Sequence, residues 1–236
     1  MTEFVTVDVQ DAIATVLLDR PPVNLLNLPA LRELAAAFAE IAGRDDIAAV
    51  IVYGGDKIFS AGDDIAELLE LAPAQATAMV PDVERMLDGL ARLPVPVAAA
   101  ITGYGLGAGL ELALGADRRI AGDNAKFALP QVHAGFIPRG GAARLIALLG
   151  SATVRDLLLT GRFVGADEAM ALGLVDEVVA PDEVYRAALA WAGQFRGQSR
   201  LALAAGKAAL AGAAGGSLIG GADQRERSWQ WLGQQP

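Results

Sequence analysis

The hydrophobic pattern changes period several times along the chain, and each change marks a predicted element. FVTVDV (4–9) and AIATVLLD (12–19) are β-type runs separated by the turn-prone Gln10-Asp11, which predicts a β-hairpin. The loop PPVNLLN (21–27) breaks that pattern, and LPALRELAAAFAEIAGR (28–44) then shows helical apolar spacing that ends near Gly43. AAVIVYGG (48–55) and VPVAAAITG (95–103) are continuous apolar runs closed by glycine, the pattern of strands covered on both faces. Between them lie the loop KIFSAGDD (57–64) and helical stretches from Ile65 to Leu93, with interruptions expected at Pro73 and Pro81. AKFAL (125–129) predicts another strand, followed by the loop PQVHAGFIPRGGA (130–142) and a helix at ARLIALLG (143–150).

From residue 166 the pattern becomes mainly helical: ADEAMALG (166–173), DEVYRAALAWAGQFR (182–196) and SRLALAAGKAALA (199–211), with a short strand in VDEVVA (175–180). GAAGGSLIGGAD (212–223) reads as a hinge before a last short helix. The order of elements predicts an α/β fold, with a core over residues 1–180 and a helical C-terminal region over 181–236.

Composition narrows the chemistry. With 53% hydrophobic and 20% charged residues, the 236-residue chain can bury a sizeable core. A net charge of −9 argues against nucleic acid or an anionic membrane as the partner. There is no cysteine, so disulfides and thiol nucleophiles are excluded, and the single histidine, His133, makes a multi-histidine metal site hard to assemble. No metal is therefore expected. Residues 93–110 carry no charge, but Pro94, Pro96 and four glycines break the run, and a cytoplasmic protein without a membrane span is expected.

The stretch GYGLGAGLELALGAD (103–117) sets glycines at every second position and then places one carboxylate, Glu111, among leucines and alanines. Gly103, Gly105 and Ala108 satisfy the dinucleotide fingerprint GxGxxG/A after a strand. The helix that follows is short for a crossover, and Glu111 would sit close to a bound pyrophosphate, so this reading is the weaker one. The other reading makes the turn an oxyanion hole, whose backbone N–H groups stabilise a carbonyl oxygen as it gains charge. On a helix, Tyr104, Ala108, Glu111 and Gly115 would share a face, with Glu111 one turn beyond the donors and able to exchange a proton beside the polarised carbonyl. Glu111 could instead be a helix-start carboxylate with no role in chemistry. The second glycine loop, FSAGDDI (59–65), also follows a buried strand and could supply the other donor.

RPPVNLLN (20–27), KIFSAGDDI (57–65), PVAAAITGYGLGAGLELALGAD (96–117), AKFALPQVHAGFIPRGGAARL (125–145) and TGRFVGADEAMALGLVDEVV (160–179) together resemble the crotonase superfamily, the enoyl-CoA hydratase/isomerase family. The resemblance implies a spiral of ββα units with a helical C-terminal trimerisation region, assembly as a homotrimer or homohexamer, and stabilisation of a thioester enolate. It implies an oxyanion hole from the backbone N–H groups of Asp63 and Ala108, and it matches Glu111 to the first catalytic glutamate. The second glutamate position is occupied by Gln131, which has no titratable proton. The implied ligand is acyl-CoA, with coenzyme A as part of the substrate and no separate cofactor. Contacts are implied at Val23, Leu25, Lys57, Phe59, Ala61, Asp63, Asp64, Ile65 and Gly107, with Asp64 also expected to cap the helix after it. Hydration of 2-enoyl-CoA is the first expected reaction. Double-bond isomerisation, thioester hydrolysis and acyl-CoA binding without turnover are the alternatives.

Overall fold

A computed structural model describes residues 4–136, 138 and 141–214. The chain opens with β1 (Val5–Gln10) and β2 (Ile13–Leu18), paired antiparallel through a tight turn in which Asp11 and Ala12 both have positive φ. Next come the two-residue β3 (Leu25–Leu26) and α1 (Leu28–Ala42). Asn27 caps α1 by accepting the Ala30 N–H, and Leu31, Leu34, Phe38 and Ile41 form its buried stripe.

β4 (Ala49–Tyr53) follows, then β5 (Gly62–Asp63), α2 (Ile65–Glu70) and α3 (Pro73–Ala91). Pro73 stands at the start of α3, where its missing N–H costs nothing. Pro81 was expected to break the helix and does not. It lies inside α3, where Met79, Val83, Met86, Leu87 and Leu90 are buried, so packing outweighs one lost backbone bond.

The glycine segment contains β6 (Val97–Ile101), β7 (Tyr104–Leu106) and α4 (Ala108–Ala113). Tyr104 is therefore on a strand and not on the Glu111 face of a helix. Its strand pairs with β9 before Gly107, at φ +49, turns the chain into α4. β8 (Arg118–Gly122), a strand the charged Asp117-Arg118-Arg119 run conceals, precedes β9 (Lys126–Ala128) and a 3₁₀ turn at Pro130–Ala134. α5 (Ala142–Leu149), α6 (Ser151–Thr160), β10 (Val164–Gly165), α7 (Ala166–Leu172), β11 (Glu177–Val179), α8 (Val184–Gly193) and α9 (Arg200–Ala214) complete the described chain. The hinge expected at 212–223 begins within α9, and its residues 215–223, like the last short helix, lie outside the described residues.

The main sheet has the order β1-β2-β4-β6-β8-β11 and is parallel from β2 onward. α1 and α3 belong to the larger core on one face. On the other, Val184, Ala188 and Ala192 of α8 meet Ile13, Ile51, Ala98 and Ile120. Both faces are thus covered, which is why β4 and β6 read as unbroken apolar runs. Two smaller sheets, β10-β9-β7 and β3-β5, stand beyond the C-terminal ends of β4 and β6. They carry the residues of interest.

Candidate active site

The two glycine loops meet through backbone hydrogen bonds. Ser60 N–H donates to Tyr104 O (2.8 Å), and Leu106 N–H donates to Ser60 O (3.0 Å). β3 and β5 pair parallel, with Leu25 opposite Gly62 and Leu26 opposite Asp63. Asn24 ties the loops from beneath. It is buried at φ +52, and its amide nitrogen lies within donating distance of the carbonyls of Gly54 (2.7 Å), Ile58 (3.1 Å) and Phe59 (3.2 Å). Ser60, fully buried, donates to Asn24 O (2.7 Å) and accepts the Gly62 N–H (3.1 Å). Neither residue stood out in the sequence, because short polar residues in a loop carry no periodic signal.

The close approach explains the glycines. A Cβ at Gly62, which has φ +93, would lie 2.5 Å from Leu106 O. At Gly107 it would lie 2.9 Å from Gln131 Nε2 and 3.1 Å from Asp63 Oδ2. Both positions need glycine for conformation and for space.

Asp63, Ala108 and Gln131 form one buried cluster. Ala108 N–H donates to Asp63 Oδ2 (3.2 Å), and Gln131 Nε2 donates to the same oxygen (3.1 Å). Asp63 and Gln131 are 6% and 4% exposed, and Gln131 Oε1 is buried with no hydrogen-bond partner among the described residues. The Ala108 N–H, expected to face a thioester oxygen, thus meets the Asp63 side chain in this structure.

Glu111 lies one turn beyond Ala108 on α4 and is 1% exposed. Its Oε1 accepts the Gly141 N–H at 2.5 Å. A Cβ at Gly141 would stand 2.5 Å from Glu111 Cγ, so the segment entering α5 packs directly on this carboxylate. A carboxylate this buried is costly to leave unpaired, and the bond to Gly141 fixes one of its oxygens.

The remaining expected residues divide by position. Val23, Leu25 and Asp64 line an open groove together with Arg20 and Phe4. Asp64 caps α2 by accepting the Glu67 N–H (3.3 Å) and pairs with Arg20 at 2.8 Å, side chains 14% and 24% exposed. Arg20 is a cation on this rim that the motif reading missed. Ala61 is held to the groove by its N–H bond to Val23 O (2.9 Å), and Ile65 is half-buried against the core. Lys57 is exposed on the loop. Phe59 differs from the others: its side chain is fully buried, its N–H is bonded to Thr102 O, and its carbonyl faces Asn24. It supports the loop from below and presents no side chain to a ligand. His133 is exposed on the 3₁₀ turn. No group of three or more histidine, aspartate or glutamate side chains suited to a metal ion occurs among the described residues.

The comparison with known families decides the ancestry. The family model described as enoyl-CoA hydratase/isomerase matches residues 8–234. The chain belongs to the enoyl-CoA hydratase/isomerase family. Within it, the chain is 50% identical over 216 residues to the "Probable enoyl-CoA hydratase echA17" of Mycobacterium avium (strain 104), covering 89% of this chain and 84% of that protein. Among solved structures, Pseudomonas aeruginosa DspI matches at a TM-score of 0.93 and 30% identity, covering 99% of this chain and 90% of that one. An enoyl-CoA hydratase from Bacillus anthracis matches at 0.90 and 30%, covering 97% and 90%. The fold is the crotonase fold, and the family is one of enzymes.

Proposed function

We propose that this protein adds water across the double bond of a 2-enoyl-CoA to give the 3-hydroxyacyl-CoA. The observation that carries the reading is the pairing, on one short helix, of the Ala108 N–H with a buried and anchored Glu111 carboxylate one turn away. In this reading the N–H groups of Ala108 and Asp63 hold the thioester oxygen, and Glu111 takes a proton from the attacking water. Coenzyme A enters along the groove of Val23, Leu25 and Arg20, with Lys57 available to its phosphates. Nothing but substrate and water is required, so activity should survive a chelator. Binding and turnover of crotonyl-CoA test the proposal: binding with no hydration would leave an acyl-CoA binding protein.

A second reading, double-bond isomerisation, draws support from Gln131, because moving a proton between carbons needs only one base. Turnover of a 3-enoyl-CoA in preference to crotonyl-CoA would favour it.

Assembly as a trimer or hexamer belongs to the same proposal. Leu201 and Leu210 of α9 are 44% and 74% exposed, and Leu159 and Phe163 are 69% and 53% exposed, more apolar surface than an isolated chain needs. Light scattering at micromolar concentration should give three or six subunits, and a fully active monomer would refute this. No described helix is long and apolar enough to cross a membrane, which fits a cytoplasmic enzyme of acyl-chain metabolism.

A further inference from the structure

A hydratase reading leaves one chemical requirement open. Water addition delivers a hydroxyl to C3 and a proton to C2, and Gln131 holds no proton to give. A carboxyl nevertheless lies one hydrogen bond away, on Asp63. We propose that Asp63 is the second catalytic carboxyl of this enzyme and that Gln131 is the residue that positions it. The inference rests on the hydratase reading above.

Three features of the cluster support the assignment. Asp63 Oδ2 is bonded to the Ala108 N–H, the donor intended for the thioester oxygen, so its carboxyl stands beside the place where the carbonyl, and therefore C2, must come. The thioester oxygen can take that N–H only by displacing Oδ2, and the Gln131 amide remains as the tether that keeps the carboxyl in the site. Gln131 Oε1 is buried and unpartnered among the described residues, an acceptor that a ligand donor would satisfy. The attacking water supplies that donor. The backbone is also shaped to the pair: a Cβ at Gly107 would crowd both the Gln131 amide and the Asp63 carboxyl.

The step balances with one proton held between two carboxyls. In the proposed step the shared proton starts on the Asp63 side of the site and Glu111 faces the water. As the water oxygen bonds to C3, Glu111 takes one water proton and the C2=C3 electron pair moves to the thioester oxygen as enolate. The enolate collapses, C2 takes the Asp63 proton, and Asp63 is left ionised. Exchange with solvent returns the proton from Glu111 to Asp63.

The test compares Asp63→Asn, Asp63→Ala and the double variant Asp63→Asn with Gln131→Glu, using crotonyl-CoA for turnover and unreactive butyryl-CoA for binding. A positioned acid contributes ~10²–10⁴ in rate, so kcat in Asp63→Asn should fall by that factor while butyryl-CoA affinity stays within about threefold. Deuterium exchange at C2 of butyryl-CoA in heavy water should slow in parallel. The double variant, which moves the carboxyl to position 131, should recover at least ~10-fold over Asp63→Asn. Turnover at or above the native rate in Asp63→Ala, with tighter binding, would overturn the proposal and make Asp63 only an occupant of the oxyanion hole. Equal losses of kcat and affinity, without recovery in the double variant, would reduce it to a structural role. Inactivity of Glu111→Gln with full activity in Asp63→Asn removes this proposal alone. A native protein that hydrates no 2-enoyl-CoA removes the hydratase reading and this proposal together.

Discussion

Glu111→Gln separates a working base from a helix-start carboxylate, and the structure sets what else should change. The glutamine oxygen can still accept the Gly141 N–H, and the side-chain volume is nearly the same, so the α4–Gly141 contact survives. What is lost is the charged character of that bond, about 1 kcal/mol, offset by no longer burying an ion. Net stability should therefore stay within about 1 kcal/mol, a Tm shift of no more than roughly 2–4 °C for a chain of this size. The amide cannot take a proton from water. Crotonyl-CoA hydration, followed by loss of the conjugated thioester absorbance, should fall by ~10²–10⁴, equivalent to ~3–5 kcal/mol of barrier, with butyryl-CoA affinity retained. Turnover within about threefold of native, less than ~1 kcal/mol, would refute the role given to Glu111.

Gly141→Ala should damage the same step without touching the carboxylate. Position 141 has an ordinary φ of −85°, so the added Cβ acts only through its 2.5 Å approach to Glu111 Cγ; displacing Glu111 by a fraction of an ångström should cut kcat ~10-fold or more, read in the same hydration assay. Gln131→Glu alone sets two carboxyls against each other across a 3.1 Å contact. It removes the amide donor that Asp63 Oδ2 accepts, so it should cost about 1–3 kcal/mol of stability, read in urea melts. Asp82 of α3 joins α1 through Arg32 (3.0 Å) and pairs within its own helix with Arg85 (2.6 Å), and its bond to Arg32, ahead of that to Arg85, holds its carboxyl below the usual 3.8. A lowered folded-state value means the stabilisation is complete above that pH and is lost as the pH falls through the lowered value. Both arginines are more than half exposed, so Asp82→Asn should cost only about 0.5–1 kcal/mol at pH 7, and the difference from native should vanish in acid melts.

The sequence by itself determined the elements with strong periodicity and the identity of the chemistry-bearing residues. The hairpin, α1, β4, β6 and α8 lie where apolar spacing places them, because each buries a face or a stripe whose period its residues already carry. The glycines at 62 and 107 marked the close approach of two loops, since only a backbone without Cβ fits there. Tertiary structure decided the rest. β8 hides behind charged residues that find partners only in the fold, as in the ion pairs of Arg118 with Glu177 and Arg119 with Asp176. Pro81 stays helical because the packing of α3 outweighs its local penalty. Gly141 reaches Glu111 across 30 residues, and Gln131 reaches Asp63 across 68. No local pattern encodes such distances. A hydrogen bond between side chains depends on where whole strands and helices come to rest, and for this protein that decides which oxygen the Ala108 N–H meets.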